Sequence, residues 1–157
     1  MEKNKTKTET TSKGIWSKIN FKDTNDKSAY DYLKEQSGSL IEATGGILKM
    51  EIEAVDSYID GDPPILAAIY TLYVVAPKLG NFRRKILSVA EYSEKGRFPV
   101  DIFYYYNDGS DKIENVEEIN FIDRIEIILT KPFVQDAIKN LYKQSKENSK
   151  SVRTKKS

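Results

Sequence analysis

In the first half of the chain, the spacing of apolar residues predicts helices. The segment KSAYDYLKEQ is predicted as a short helix, capped by Asn25 or Asp26. From residue 40 to 59 the apolar positions fall on one helical stripe, so we predict a second helix there. Gly45 and Gly46 interrupt the stripe. They either permit a close crossing between helices or break this helix in two, and we favour close packing.

Residues 63–77, PPILAAIYTLYVVAP, contain no charged side chain. Asp62 and Pro63 suit the start of a helix and Gly80 suits its end, so we predict a third helix to about Lys78. At about 1.5 Å per residue this run is shorter than the hydrocarbon layer of a membrane, roughly 30 Å thick. We therefore predict a buried helix and expect no membrane partner.

After Asn81 the pattern changes to short runs of apolar residues separated by turn signals, which is typical of strands. SEKG joins the first two predicted strands, and NDGS predicts a hairpin between the second and a short third strand at residues 112–114. Asn115 begins a sequence with the form of a capping box, followed by helical spacing up to Leu129. Pro132 precedes a last amphipathic helix.

These elements predict an α+β fold, in which a small antiparallel three-stranded sheet is flanked by N-terminal and C-terminal helices in the order α-α-α-β-β-β-α-α. Charge is distributed unevenly around this predicted domain. Residues 1–13 have a net charge of +2, residues 146–157 of +4, and residues 14–145 of −5. We predict one domain over residues 14–145, with disordered basic tails on both sides.

The composition excludes several kinds of site. The chain has no histidine and no cysteine, which rules out catalytic triads, thiol nucleophiles and the usual zinc sites. We therefore expect a non-enzymatic protein without a cofactor, although catalysis by Asp, Glu, Lys, Arg, Tyr or Ser stays possible. The N-terminal residues lack the apolar run of a secretory signal, so we expect a cytoplasmic protein.

The segment FYYYND, on the predicted second strand and its turn, is the candidate binding surface. Interfaces between proteins favour tyrosine and arginine. We hypothesise a small binding protein that acts on another protein or on a second copy of itself, as an adaptor, an inhibitor or immunity-like factor, or an assembly subunit. The predicted partner-binding residues are Arg97, Phe103, Tyr105, Tyr106 and Asp108.

Two alternatives belong to other classes. The first is nucleic-acid binding, by the aromatic strand with its neighbours Arg83, Arg84, Lys85 and Arg97, and by the basic C-terminal tail. Its tail residues are Lys146, Lys150, Arg153, Lys155 and Lys156.

The second alternative is a metal-dependent hydrolase that uses the acidic run at residues 51–62, with Asp56, Asp60 and Asp62 as ligands. The run lacks the spacing of a calcium-binding loop, and Asp62 also suits a helix cap. We favour a solvated helix face and expect no metal site.

Overall fold

The computed structural model describes residues 14–18 and 27–156, with the side chains of residues 15, 16 and 150–156 excepted. Within these ranges it has one five-stranded antiparallel sheet, whose strands are neighbours in chain order, and three α-helices. The strands are β1 (Lys49–Ile59), β2 (Ile65–Ala76), β3 (Phe82–Tyr92), β4 (Val100–Tyr105) and β5 (Ser110–Val116). The helices are α1 (Ala29–Thr44), α2 (Glu118–Leu129) and α3 (Pro132–Lys156), and short 3-10 helices lie at Ile15–Lys18 and Pro77–Leu79.

The fold is α+β, but the predicted three-stranded sheet and its order of elements are wrong. Residues 49–59 and 65–76, predicted as helices, form a long antiparallel hairpin that pairs without interruption from Lys49 with Val75 to Ile59 with Ile65. The strand pattern is visible in β1, where Met50 and Ile52 pack against the helix-covered core while Glu51 and Glu53, which alternate with them, are exposed. The two segments predicted as helices are therefore two strands, and β2 is paired along both of its edges.

Gly45 and Gly46 end helix α1, so the interpretation of close packing is wrong. Both have positive φ angles, 59° and 80°, which glycine adopts without the steric cost of a side chain. The N–H of Gly46 donates to the carbonyl of Ile41 at 2.9 Å, and that of Gly45 to the carbonyl of Glu42 at 3.3 Å. A Cβ at either glycine would meet no described atom within 4 Å beyond the adjacent residues. Their role is a left-handed helix end.

Helix α1 starts at a reciprocal cap made by Ser28 and Asp31. The Ser28 hydroxyl accepts the backbone N–H of Asp31 at 3.2 Å, and the Asp31 carboxylate accepts the backbone N–H of Ser28 at 2.9 Å. These hydrogen bonds, first of all the one from the Ser28 backbone, lower the pKa of Asp31. The cap is therefore Ser28, and the predicted caps Asn25 and Asp26 lie outside the described residues.

The two C-terminal helices are confirmed, but the capping box predicted at Asn115 is wrong. Asn115 has a φ of 53° at the end of β5, and the residue that caps α2 is Glu117, without a side-chain hydrogen bond to the helix. Helix α3 extends to Lys156, so its backbone includes most of residues 146–157. The disorder expected for this segment stays a prediction. None of the described helices is long and apolar enough to cross a membrane.

All three helices join the core on the same face of the sheet. Leu33 of α1, Phe121 of α2 and Leu141 of α3 belong to one buried cluster with side chains from every strand after β1. Phe121 sits where the three aromatic rings of Tyr32, Phe98 and Phe121 meet, with ring centres 5.5 to 6.3 Å apart. One face of the sheet is therefore covered by the helices, and none of the described helices packs into a core cluster on the other face.

Two alanine substitutions in α2 test which side of this helix is buried. We expect Phe121→Ala to lower the free energy of unfolding by about 3–5 kcal/mol, because it leaves a cavity in the core. Ile119, in the same helix, is 86% exposed, so Ile119→Ala should change it by less than about 0.5 kcal/mol. Urea unfolding of both variants measures this, and similar losses would contradict the packing described.

Candidate functional site

The sheet face that points away from the helices is the candidate site. Successive side chains of a strand point to opposite faces, so residues paired across β2, β3 and β4 share this face with one another. Within residues 14–18 and 27–149, no helix joins the residues of this face in a core cluster. We call this surface the open face. It comprises Thr71, Tyr73, Arg83, Lys85, Ser88, Phe103, Tyr105 and Lys112.

Three aromatic rings of the open face each lie beneath a cationic group. Such contacts within about 6 Å of the ring centre are attractive and are worth about 0.5–1 kcal/mol at exposed sites. The cation comes from the neighbouring strand each time, so the contacts link β2 to β3, β3 to β4 and β4 to β5. The distances to the ring centres are 3.9 Å for Arg83 over Tyr73, 4.7 Å for Lys85 over Tyr105 and 5.5 Å for Lys112 over Phe103.

The cations differ in whether a carboxylate accompanies them. Arg83 donates to Glu53 at 3.1 Å, which raises the pKa of the guanidinium, and it lies 3.9 Å from Glu51. Lys112 lies 2.7 Å from Glu114. Lys85 has no described carboxylate within 4.0 Å. Lys85 is therefore the cation of this face that is available to a carboxylate from another molecule.

A chain of three hydroxyl groups fixes the middle of the open face. Tyr105 donates to the Ser88 hydroxyl at 3.1 Å, and Ser88 shares a 2.8 Å hydrogen bond with Thr71 in which either group can donate. Ser88 is 4% exposed and Thr71 9%. Because buried hydroxyl groups need partners, these bonds hold the Tyr105 ring in one orientation beneath Lys85.

At the other end of the same face the surface is more apolar. Ala67, Ala90 and Tyr92 form a small buried cluster with Phe103 packed beside it. The Tyr92 hydroxyl donates to Asp101 at 2.6 Å, and Asp101 also accepts the backbone N–H of Asn115 at 2.9 Å. Burial, together with the hydrogen bond to Asp101, raises the pKa of Tyr92. This tyrosine therefore stays a neutral donor at physiological pH.

The structure separates the five predicted partner-binding residues. Phe103 and Tyr105 lie together on the open face. Tyr106 packs on the helix side, with its ring centre 4.6 Å from that of Phe133 in α3. Asp108 is in the turn between β4 and β5, and Arg97 is in the connection between β3 and β4, at the opposite end of β4. Only two of the five share a surface.

The residues of the two alternatives are also dispersed. Asp56 lies in β1, whereas Asp60 and Asp62 lie in the turn that follows, and no three acidic residues in the described part of the chain are grouped to hold a metal ion. Lys146 lies 5.1 Å above the Tyr142 ring of α3. The side chains of the other four tail residues are outside the described ones. These are Lys150, Arg153, Lys155 and Lys156.

Four residues of the open face escaped the sequence analysis, although it placed Arg83 and Lys85 beside the aromatic strand; one of them, Lys112, was assigned only to the short third strand. Thr71 and Tyr73 belong to the segment predicted as a buried helix, and Ser88 was not distinguished from the apolar residues around it. The signal that could have found Thr71 and Tyr73 is the alternation of side chains along a strand, which places both on one face. In the sheet, Thr71 pairs with Ser88 and Tyr73 with Lys85. That signal becomes usable only once residues 65–76 are placed in a strand.

A scan against models of protein families, a search of curated proteins and a search of solved structures each give no match for this chain. Function must therefore be inferred from the side-chain geometry of the open face and of the rest of the sheet.

Removal of the central hydroxyl tests this geometry. Ser88→Ala should lower the free energy of unfolding by about 1–3 kcal/mol, because the buried Thr71 hydroxyl loses its partner. Ser93→Ala, at an exposed position just beyond β3, is the matched control and should have almost no effect. Urea unfolding compares the two, and equal stability of both variants would contradict the hydroxyl chain.

Proposed function

We propose that the protein is a non-enzymatic binding module that holds a partner protein on its open face. The observation that supports this most is the set of cation-covered aromatic rings on a sheet face that no described helix covers. Tyrosine supplies a large contact area at low entropic cost, and tyrosine and arginine are both enriched among the residues that dominate protein interfaces. A face held rigid by a five-stranded sheet also loses little further entropy when it binds.

The partner we infer presents a carboxylate beside an apolar side chain. Lys85 supplies an unpaired positive charge, while Tyr105 below it and Tyr73 on the neighbouring strand supply half-buried rings. An acidic residue from the partner would complete the charge pair, and apolar contact with the rings would exclude water from it. Ion pairs gain strength when they are desolvated in this way.

The charges of the open face favour a protein over nucleic acid. Glu51 and Glu53 flank Arg83, and Asp101 lies near Lys112 at 3.9 Å. A phosphate backbone would meet these carboxylates as well as the lysines, and the carboxylates would repel it. A partner protein can match a mixed pattern of charges residue by residue.

Site-specific photocrosslinking in the native host tests the surface directly. A photoreactive phenylalanine analogue at position 73, on the open face, should crosslink to a defined protein, whereas the same analogue at position 139, exposed on α3, should not. Mass spectrometry of the crosslinked product identifies the partner, and the purified pair then allows affinity to be measured.

Charge reversal measures the part played by Lys85. Lys85→Glu should weaken the purified complex about tenfold or more, because it places like charges opposite each other. Lys139→Glu changes the net charge equally and should leave the affinity within about twofold. Isothermal titration calorimetry compares both variants with the unmodified protein. Crosslinking from position 139 alone, or equal affinity of the Lys85 and Lys139 variants, would show that the open face is not the interface.

A further inference from the structure

Strand β1 is one of the two edges of the sheet, and its outer side is unpaired in the described part of the chain. It pairs with β2 on its other side. On the outer side, every second residue points its backbone N–H and carbonyl groups away from the sheet. Apart from the pairing with β2, no described backbone–backbone hydrogen bond involves residues 49–59. Rows of unpaired groups of this kind are templates for pairing with another strand.

The two edges of the sheet differ in how well they are protected from such pairing. The other edge strand, β5, has 7 residues, and its pairing with β4 is interrupted by a register shift between Val100 and Ile102. Short edge strands and bulges discourage pairing with a second molecule. Strand β1 has 11 residues and no proline, and its pairing with β2 shows no register shift. It is therefore the edge that suits an additional strand.

The second half of β1 exposes apolar side chains on both faces of the sheet. Val55 lies on the side of the open face and is 50% exposed, and Tyr58 lies on the helix side and is 73% exposed. An apolar side chain gains free energy when a neighbouring strand covers it. A strand added at this edge would therefore bury apolar surface as well as pair the backbone.

A second copy of β1 fits this edge when the two strands run antiparallel about a twofold axis at Ala54. Such an axis is perpendicular to the sheet, so residues directly opposite each other lie on the same face. All 11 residues of the strand are then paired, from Lys49 opposite Ile59 of the second copy to Ile59 opposite Lys49. An axis at Val55 would leave Lys49 and Met50 opposite the turn that follows β1.

The charges of β1 are compatible with this register. Each acidic residue of the strand lies opposite an uncharged residue of the second copy, which avoids the repulsion of like charges in directly opposed positions. The pairs are Glu51 with Ser57, Glu53 with Val55, and Asp56 with Ile52. An axis at Glu53 would instead oppose Glu53 to itself. In the register at Ala54 the two Glu53 side chains are only diagonal neighbours, and each accepts a hydrogen bond from its own Arg83 at 3.1 Å.

We propose that the chain forms a twofold dimer in which β1 pairs antiparallel with β1 of a second copy. The two five-stranded sheets become one continuous sheet, and the interface uses the same residues on both copies, as a closed dimer requires. Met50 lies opposite the exposed Tyr58 of the second copy. Both open faces point to the same side of the dimer. The pairing involves neither Lys85 nor the rings of the open face, so it is independent of the proposed function.

Cysteine crosslinking of the full chain tests the axis, because the chain has no cysteine of its own. Residues directly opposite in an antiparallel pair have Cα atoms about 4.5–5.5 Å apart, within the range of a disulfide. Ala54→Cys should therefore form a disulfide-linked dimer under mild oxidation, whereas Lys139→Cys, at an exposed position of α3, should not. Sedimentation equilibrium of the unmodified chain should show a dimer that dissociates on dilution. A monomer up to millimolar concentration, or a dimer that Ala54→Cys fails to crosslink, would overturn the proposal.

Opposite charges at position 55 test the register. Val55→Lys places a cation opposite Glu53 on both sides of the axis and should tighten the dimer, whereas Val55→Glu places like charges there and should weaken it. We expect the dissociation constants of the two variants to differ about tenfold or more. Ile119 is 86% exposed on α2, and the same two substitutions there should agree within about twofold. Because Val55 is half exposed, both of its variants should fold, and equal dissociation constants for them would contradict pairing through β1.

Discussion

Pairing of β2 along both of its edges is the constraint on which the structure depends. Its 12 residues pair with β1 on one side and with β3 on the other. Every charged side chain of the open face lies on β1 or β3 and beyond, where solvent or a neighbour of opposite charge is within reach. No residue of β2 is charged, and its side chains pack either against the helix-covered core or beside the half-buried rings. The uncharged stretch at residues 63–77 therefore corresponds to a strand that is paired on both edges.

The second half of the fold was predictable from the sequence because local turn residues determine it. SEKG and NDGS connect strands in the structure as expected, and helical spacing was sufficient for α2 and α3. The first half failed for a physical reason. Ile52 fits both a helical stripe, with Val55 and Ile59, and strand alternation, with Met50. Strand β2 is apolar on both faces, so its sequence shows neither period. Only the long-range pairing between residues 49–59, 65–76 and 82–92 distinguishes the two structures.

The candidate surface was predictable in part for the same reason. A period of two places Phe103 and Tyr105 on one face of β4 whatever the rest of the fold is, and it places Tyr106 with Tyr104 on the other. Tyr105 and Tyr106 are adjacent in β4 and its turn, so a period of two places them on opposite faces. The prediction that put both on one surface therefore conflicted with that period. Tyr73 and Thr71 could not be added, because their position beside Ser88 and Lys85 follows from the register between β2 and β3. A pocket beside Glu91 depends on where α1 begins relative to β2 and β3, which follows from the tertiary structure and not from a local pattern.

A difference in length between strand and helix accounts for the existence of two separate surfaces. At about 3.3 Å per residue the 12 residues of β2 extend roughly 40 Å, whereas the 16 residues of α1, at about 1.5 Å each, cover roughly 24 Å. At the N-terminal end of α1, the pocket, lined by Ser28, Tyr70 and Glu91, lies on the helix-covered face of the sheet. Along β3, successive side chains point alternately to the two faces of the sheet. Ser88 therefore points to the open face, and Glu91, three residues further along, points to the helix side.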